Sequence, residues 1–303
     1  MKYGLVSVVI PTFGRPQFLR RCVESVCAQS YRQIEVIIVD DNGKGKALQL
    51  QTGIVVASIE SKFLIKYIIQ EENRGGSVAR NAGVQGAEGE FIAFLDDDDQ
   101  FEPDRILNQV NFLKEKVSQD PLVKACTSLV IRRKRGLEVD RQAAKSKDNY
   151  LFDLLSLKAS LYTGSTLLIF TEVFFELKGF DERFRRNQDI EFMIRFFERY
   201  NVAVLNEHLT ILNIDDRTNI PSYQKVVETK KLFLGKFESL ISTFTAEQQR
   251  EIYTSHALEI AKVALWNKNF LGFVKGIRSA KLSLFEWVSF VKDVMKKSII
   301  HLK

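Results

Sequence analysis

The sequence predicts an α/β fold, and three observations support this. Short β-branched runs alternate with helical patterns over the first hundred residues. The runs are apolar on both faces, as in Leu5–Ile10 (LVSVVI), which is typical of strands in a mostly parallel sheet covered by helices. Loops rich in Gly, Asp and Arg follow these strands, and such sheets bind ligands beyond the carboxyl ends of their strands. We therefore expect one ligand site at that edge of the sheet.

Each element follows from its own pattern. Leu5–Ile10 is a strand that meets Pro11, and Pro16–Gln29 is a helix with proline in its first turn. The next elements are strand Ile34–Val39, helix 46–58, strand Phe63–Ile69, helix Gly76–Ala87, strand Glu90–Leu95 and helix Pro103–Lys116. They are followed by strands Leu122–Ile131 and Thr166–Phe170, helix Asp189–Tyr200, and strands Val202–Leu205 and His208–Ile214.

The composition changes near Pro221, the last of five prolines. Residues 222–303 hold 14 of the 44 Lys and Arg but only 7 of the 38 Asp and Glu. They therefore carry the whole formal excess of +6, and residues 1–221 are slightly acidic. Only helical patterns follow, at Tyr223–Ser239, Ala246–Trp266 and within 271–297. We predict a large domain over 1–221 and a basic all-helical region over 222–303.

The composition also excludes several classes of protein. With 45% hydrophobic and 27% charged residues, the chain is neither disordered nor fibrous. No stretch reaches the roughly 20 apolar residues of a membrane span, and we expect no signal peptide. Three cysteines without metal-ligand spacing are expected to be reduced thiols of a cytoplasmic protein.

Three of the loops after strands carry phosphate-binding chemistry. Residues 11–16 place Thr12 and Arg15 at a helix start, where backbone amides can face a phosphate. Residues 40–43 (DDNG) hold two adjacent carboxylates, and residues 73–81 (NRGGSVARN) combine paired glycines with two arginines. Each loop can also be read as an ordinary turn or capped helix, so none is decisive alone.

The fourth loop is the strongest signal. Asp96, Asp97, Asp98 and Asp99 directly follow a buried strand, and four adjacent carboxylates repel one another unless a cation is present. Hard oxygen ligands suit Mg²⁺ or Mn²⁺, and either ion would hold a substrate diphosphate. The alternative is a solvated acidic face.

A single carboxylate begins the helix predicted at 189–200. Asp189 at a helix N-terminus is expected to stay ionised at neutral pH, which permits a general-base role. The spacing fits a helix N-cap equally well.

Taken together, these segments resemble the family 2 glycosyltransferases of the GT-A fold, enzymes that use nucleotide-diphosphate sugars. The matching segments are 6–13 (VSVVIPTF), 36–41 (VIIVDD), 73–76 (NRGG), 79–83 (ARNAG), 89–99 (GEFIAFLDDDD), 179–182 (GFDE) and 188–189 (QD). The likeness is dense over residues 5–105, looser over 160–217 and absent beyond. It implies a Rossmann-like sheet whose residues 1–105 bind the nucleotide sugar and whose residues 106–221 bind the acceptor.

The resemblance also implies site residues. The nucleotide-sugar pocket would be lined by Pro11, Thr12, Phe13, Arg15, Asp40, Asp41, Gly75, Arg80, Asp96 and Asp97. Asp98 would be the direct ligand of Mn²⁺ or Mg²⁺, with Asp96 beside it and nearer the ribose. Asp189 would deprotonate the acceptor hydroxyl, although Gln188 replaces the glutamate usual in the family. Asp215 stands where many relatives carry other residues near the diphosphate, so its role stays open.

The implied reaction is inverting transfer of a sugar to a hydroxyl. A UDP-sugar is the expected donor, and a glycan or lipid-linked glycan the expected acceptor, in synthesis of a bacterial capsule, lipopolysaccharide or exopolysaccharide. Two alternatives stay open at this point. A phosphohydrolase of the haloacid dehalogenase type also places D-x-D after a buried strand, and a catalytically inactive chain could serve as a nucleotide-sugar-binding scaffold.

The basic tail suggests a location. Residues 256–303 interleave aromatic residues with lysines, as an interfacial helix on an anionic membrane requires. This would place the enzyme on the inner face of the plasma membrane. The alternative is that the helices pack on the catalytic domain or on a second subunit of a homo-oligomer. No nucleic-acid-binding motif accompanies the charge, so we expect no nucleic-acid partner.

Overall fold

A computed structural model describes residues 1–143, 150–158, 163–214 and 221–280. The chain divides into two units, one formed by 1–147 with 160–215 and the other by 148–159 with 216–303. Residues 148–159 thus group with the C-terminal helices rather than with the sheet that precedes them in the chain.

The first unit is built on one mixed sheet, which has nine strands among the described residues. These are β1 (Lys2–Thr12), β2 (Ile34–Asp40), β3 (Leu64–Ile69), β4 (Gly89–Phe94), β5 (Gln100–Phe101), β6 (Val123–Lys134), β7 (Leu137–Arg141), β8 (Leu168–Phe170) and β9 (Asn201–Asn213). Their order is β3-β2-β1-β4-β8-β6-β9-β5, with β7 paired to β6. Strands β1 to β4 pair in parallel, whereas β8, β5 and β7 are antiparallel to their neighbours. The predicted α/β class is confirmed.

Seven helices of the described chain belong to this unit. They are α1 (Pro16–Cys27), α2 (Ala47–Ala57), α3 (Gly76–Gln85), α4 (Arg105–Gln119), α6 (Thr163–Thr166), α7 (Thr171–Glu176) and α8 (Gln188–Phe197), and α5 (Tyr150–Leu155) belongs to the second unit. Helix α1 shows why the early elements were predictable. Leu19, Cys22, Val23 and Val26 recur at helical spacing and are fully buried in the core.

Strand pairing determines where the loops that follow β1, β2 and β4 lie. Thr12 at the end of β1 lies opposite Asp40 at the end of β2, and Val9 lies opposite Phe94 at the end of β4. Because all three strands run in parallel, the loops that follow them meet at one edge of the sheet. Strand β1 continues through Pro11, so Thr12 is part of the sheet.

Three predicted strands are organised differently in the structure. The runs Val202–Leu205 and His208–Ile214 form one strand, β9, because a register shift opposite Ser128 and Leu129 absorbs residues 206–207 as a bulge. The strand predicted at Thr166–Phe170 begins only at Leu168, since residues 163–166 form the short helix α6.

The described part of the second unit is helical. Besides α5 it contains α9 (Tyr223–Lys236), α10 (Glu238–Ile241), α11 (Ala246–Trp266) and α12 (Phe270–Ala280). Thr245 and Gln248 form a capping box that starts α11 at the predicted residue. No helix within the described ranges is long and apolar enough to cross a membrane. The helical pattern predicted beyond Ala280 and the residue Asp215 lie outside the described residues.

Candidate active site

The four aspartates after β4 have different surroundings. Asp97 and Asp99 are buried, whereas Asp96 and Asp98 are half-buried. Asp97 accepts hydrogen bonds from Thr12 Oγ1 at 2.7 Å and from Arg15 Nη2 at 2.6 Å. Arg15 also pairs with Asp98, and Arg80 pairs with Asp96. Two arginines therefore offset part of the repulsion among these carboxylates. The sequence pattern had assigned this role to a divalent metal ion alone.

Burial shifts the pKa of one of these carboxyl groups. It raises the pKa of Asp97 to about 6, against the opposing effects of the Arg15 charge and the Thr12 hydroxyl. The side chain of Asp97 binds Thr12 and Arg15. It thereby holds the loop of residues 11–16 against the loop of residues 96–99.

Three of the aspartates lie close enough together to hold a metal ion. Asp96, Asp98 and Asp99 each offer a carboxylate oxygen, and these oxygens lie within 4.8 Å of one another. Asp96 and Asp98 were predicted as ligands, and Asp99 was not. Asp99 is held in place because it accepts from Ser165 Oγ at 2.7 Å and from the Asn213 backbone N–H at 3.2 Å. A set of hard oxygens on a fixed loop fits Mg²⁺ or Mn²⁺.

Sequence reasoning missed Asn213, and it placed Ser165 beside the acceptor pocket without predicting its contact with the aspartate loop. Ser165 Oγ also accepts a hydrogen bond from the Asp96 backbone N–H at 3.1 Å, and Asn213 Nδ2 donates to the Asp98 carbonyl at 2.7 Å. Both residues reach the aspartate loop from far along the chain. No local pattern predicts such contacts, because they depend on how α6 and β9 are placed beside β4.

The two aspartates after β2 organise neighbouring loops. Asp40 is fully buried and accepts from the backbone N–H of Asn42 at 2.9 Å and from the Tyr67 hydroxyl at 2.5 Å. Asp41 is also buried. It accepts three hydrogen bonds from the third loop, namely from Asn73 Nδ2 at 2.9 Å and from the N–H groups of Arg74 and Gly75, each at 2.8 Å.

The third loop carries Arg80 into the site. Gly75 has a φ of 93°, which glycine adopts without strain and which turns the chain into α3. Arg80 lies one turn into α3 and is only 7% exposed. One of its terminal nitrogens pairs with Asp96, whereas its buried Nε has no hydrogen-bond partner among the described residues.

Asp189 is the second residue of α8. Asn187 caps this helix with a left-handed backbone (φ 59°), a conformation that asparagine tolerates, so the N-cap interpretation of Asp189 is wrong. Burial raises the pKa of Asp189, although the backbone N–H of Ile190 and the charge of Arg80 oppose the rise. The helix N-terminus thus acts in the expected direction but is outweighed by burial. A higher pKa makes the carboxylate a stronger base.

Asp96 and Asp189 line the same cavity of about 500 Å³. Its walls are formed by Arg15, Arg80, Asp96, Gly164, Leu167, Phe180, Arg185, Arg186, Asn187, Gln188, Asp189 and Phe192. Of the predicted site residues, Arg15, Arg80, Asp96 and Asp189 are therefore brought together. The others do not form the wall: Pro11, Thr12 and Asp40 lie at the ends of β1 and β2, and the rest lie in or beside the loops that follow the strands, where Phe13 is 53% exposed.

Comparisons with known proteins identify the family of the chain. The sequence model described as "Glycosyl transferase family 2" matches residues 7–177. An uncharacterized glycosyltransferase of Rickettsia typhi is 30% identical over 241 residues, which cover 78% of this chain and 72% of the relative. TuaG of Bacillus subtilis, named as a teichuronic acid biosynthesis glycosyltransferase, is 36% identical over 115 residues, covering 37% of this chain and 43% of TuaG.

Two solved structures show a similar fold. TarS of S. aureus in complex with UDP-GlcNAc has a TM-score of 0.59 at 16% identity, over 91% of this chain and 90% of TarS 1-349. The mannosyltransferase PcManGT from Pyrobaculum calidifontis, in complex with GDP-Man and Mn²⁺, has a TM-score of 0.56 at 18% identity, over 98% and 80% of the two chains. With a family match over more than half of its length and this sheet, the chain belongs to glycosyl transferase family 2 and has the GT-A fold.

Proposed function

We propose that this chain is an inverting, metal-dependent glycosyltransferase that moves a sugar from a nucleotide-diphosphate sugar to an acceptor hydroxyl. One observation carries the proposal: a candidate base, Asp189, and an aspartate of the candidate metal loop, Asp96, line one cavity. Residues 1–105 would bind the donor and residues 106–221 the acceptor.

The donor would bind at the edge formed by β1, β2 and β4. Arg15 and Arg80 provide the cationic groups there, and the solved structures with UDP-GlcNAc and with GDP-Man and Mn²⁺ support a nucleotide sugar as donor. Asp96, Asp98 and Asp99 would hold Mn²⁺ or Mg²⁺. The bound ion would neutralise the charge of the departing diphosphate.

Asp189 would perform the proton transfer. As the acceptor oxygen forms its bond to the anomeric carbon, the bond from that carbon to the diphosphate oxygen breaks, and its electron pair leaves with the nucleoside diphosphate. The proton of the acceptor hydroxyl passes to the Asp189 carboxylate. Attack on the face opposite the leaving group inverts the anomeric configuration.

The proposed setting is synthesis of a bacterial surface polysaccharide at the inner face of the plasma membrane. The relation to TuaG supports the polysaccharide class. The basic C-terminal region supports attachment to an anionic membrane, because helix α12 exposes Phe270, Leu271 and Val274 beside Lys275 and Arg278.

The first test removes the base. We expect Asp189→Asn to lower kcat by about 10²- to 10⁴-fold because the proton acceptor is lost. Transfer is measured with a panel of UDP- and GDP-sugars and Mn²⁺, and nucleotide binding, measured by calorimetry, should persist. Asp181→Asn, in the same segment but outside the cavity wall, is the matched control. Unimpaired turnover in Asp189→Asn would remove Asp189 from the mechanism, and absence of both transfer and donor hydrolysis in the unmodified chain would favour the scaffold alternative.

The second test removes a metal ligand. We expect Asp98→Ala to weaken the divalent-ion-dependent part of donor binding by at least about 10-fold, because a charged ligand is lost. Calorimetric titration with UDP-sugars and GDP-sugars, with Mn²⁺ or with EDTA, measures this. Asp140→Ala on β7, which is exposed and outside the site, should leave the dependence unchanged. The same metal dependence in Asp98→Ala and the unmodified chain would contradict the ligand assignment.

A further inference from the structure

We propose that the acceptor of this enzyme is anionic, and that Arg185 and Arg186 bind its carboxylate or phosphate group beside Asp189. This inference rests on the proposed function in one respect, namely that Asp189 contacts the acceptor hydroxyl. It adds the chemical class of the acceptor and two residues that select it.

The observation behind the proposal is an uncompensated pair of cations in the cavity wall. The side chains of Arg185 and Arg186 are exposed and line the cavity, and neither makes a hydrogen bond or ion pair with any residue in the described ranges. The neighbouring arginines behave differently. Arg183 donates to both oxygens of Asp181, at 3.0 and 2.7 Å, and Arg195 donates to both oxygens of Glu191, at 2.5 and 2.9 Å.

The backbone that precedes the pair is held at two points. Ser77 Oγ donates to the Phe184 carbonyl at 2.5 Å, and Phe184 is buried. Asn81 exchanges two hydrogen bonds with the backbone of Phe180, at 2.8 and 2.9 Å. Both anchors come from α3. The arginines therefore extend from a held segment, which lowers the entropic cost of binding a ligand.

Their position favours the acceptor over the donor. The cations on the donor side, Arg15 and Arg80, are already paired with aspartates of the metal loop. Arg185 and Arg186 precede Asp189 by only four and three residues, and three residues span at most roughly 10 Å. An acceptor hydroxyl within hydrogen-bond reach of Asp189 would place the rest of its sugar unit beside this pair.

Charge explains why the pair would select an anion. An anionic acceptor is repelled by the carboxylates of Asp96 and Asp189, so its binding needs cations that those carboxylates have not neutralised. Guanidinium groups bind carboxylate and phosphate through paired, charge-assisted hydrogen bonds. A uronate and a sugar or polyol phosphate share this chemistry, and they are distinguished by the experiment.

The experiment compares acceptors that differ only in charge. With a donor panel of UDP- and GDP-sugars and Mn²⁺, labelled transfer is measured to glucose, glucuronate and glucose 6-phosphate, and to glycerol and glycerol 1-phosphate. We expect at least one anionic acceptor to be used with a kcat/KM roughly 10- to 100-fold above that of its neutral counterpart, which is glucose or glycerol. Preference for glucuronate identifies a carboxylate acceptor, and preference for the phosphates identifies a phosphate acceptor.

Variants connect that preference to the two arginines. The double variant Arg185→Gln/Arg186→Gln should lose the preference by raising the KM for the anionic acceptor more than the KM for its neutral partner. Arg183→Gln is the matched control, because this arginine is on the same segment, is paired with Asp181 and does not line the cavity. Equal use of neutral and anionic acceptors overturns the proposal, as does a double variant whose main defect is donor binding.

A binding measurement separates this proposal from the proposed function. Glucuronate and inorganic phosphate are titrated calorimetrically into the chain saturated with UDP and Mn²⁺. Binding that is at least about 10-fold weaker in the double variant than in Arg183→Gln supports an anion site even if no acceptor in the panel is glycosylated. Equal binding in the two variants, or no binding to the unmodified chain, contradicts the anion site even if Asp189→Asn confirms the base.

Discussion

Gly164 shows how closely the site depends on single atoms. A Cβ at this position would lie 3.2 Å from Oδ2 of Asp96, and Asp96 is itself held by Arg80 and, through its backbone N–H, by Ser165. A larger side chain can be accommodated only if the Asp96 carboxylate moves. The absence of a side chain at Gly164 thus helps to define where this carboxylate lies.

We predict that Gly164→Ala weakens donor binding by about 10-fold, since overpacking a fixed contact costs about 1–3 kcal/mol. Calorimetry with the nucleotide sugar and Mn²⁺ measures the change. Gly235→Ala is the control, because a Cβ there meets nothing within 4 Å and the position is exposed inside α9. It should leave donor binding unchanged and stabilise the chain by about 0.5–1 kcal/mol. Unchanged affinity in Gly164→Ala would show that Asp96 can move freely.

At the scale of residues, the sequence predicts some parts of the candidate site better than others. Asp96, Asp98 and Asp189 stand out because carboxylates in a run after an apolar strand, or at a helix start, are visible in local sequence. Ser165, Asn213 and the unpaired state of Arg185 and Arg186 are not, because each depends on contacts between distant segments.

Helix α11 of the second unit buries a titratable group. His256 is 1% exposed, stacks on Phe233 with a ring-centroid distance of 4.9 Å, and its Nε2 lies 2.9 Å from the Leu155 carbonyl. Burial, together with the charge of Lys230, lowers the pKa of His256 to about 3. The folded chain therefore holds His256 neutral at a pH where the unfolded chain protonates it.

The folded pKa lies below the unfolded value of about 6.5, so the stability contributed by neutral His256 is present above pH 6.5 and lost as the pH falls toward 3. We predict that the free energy of unfolding of the unmodified chain, relative to His256→Gln, decreases by about 2 kcal/mol between pH 7 and pH 5. Urea denaturation at both pH values measures this. Between pH 7 and 8.5 the difference should stay constant, and a constant difference down to pH 5 would contradict the assigned burial.

At the scale of elements, long periodic segments are predicted well and short ones are not. Helix α11 has its predicted bounds because a capping box and 21 residues of helical pattern define it. Strand β5 has two residues and helix α6 has four. Segments this short do not show a repeating pattern of apolar and polar residues. The single strand β9 was divided in the prediction because its bulge interrupts the alternation of side chains.

At the scale of the whole molecule, charge is distributed unevenly along the chain. The catalytic region is slightly acidic, and the basic excess lies in the C-terminal 82 residues. In α12, Phe270 and Leu271 are 73% and 68% exposed beside Lys268 and Lys275. The family match sets aside the phosphohydrolase alternative, whereas the membrane location remains a proposal.

We predict that the chain floats with vesicles containing anionic phosphatidylglycerol but not with neutral phosphatidylcholine vesicles, and that binding weakens as salt is added. The double variant Phe270→Ser/Leu271→Ser should bind the anionic vesicles about 10-fold more weakly because apolar contact with the lipid is lost. Leu137→Ser removes an equally exposed apolar side chain, 73% exposed, from the sheet unit and should have no effect. Absence of binding at low salt would exclude the membrane location.

The hydroxyl of Ser165 has a consequence for the order of events in catalysis. It accepts from the backbone of Asp96 and donates to Asp99, so one rotatable group connects helix α6 to two of the three candidate metal ligands. A shift of the aspartate loop on cation binding would be transmitted through these hydrogen bonds to α6, which also contributes Gly164 to the cavity wall. If a cation bound to the aspartates changed the affinity of the cavity for a second ligand, that ligand would change the affinity for the cation by the same factor. In the proposed function, the Ser165 hydroxyl would thus couple cation binding to the cavity wall.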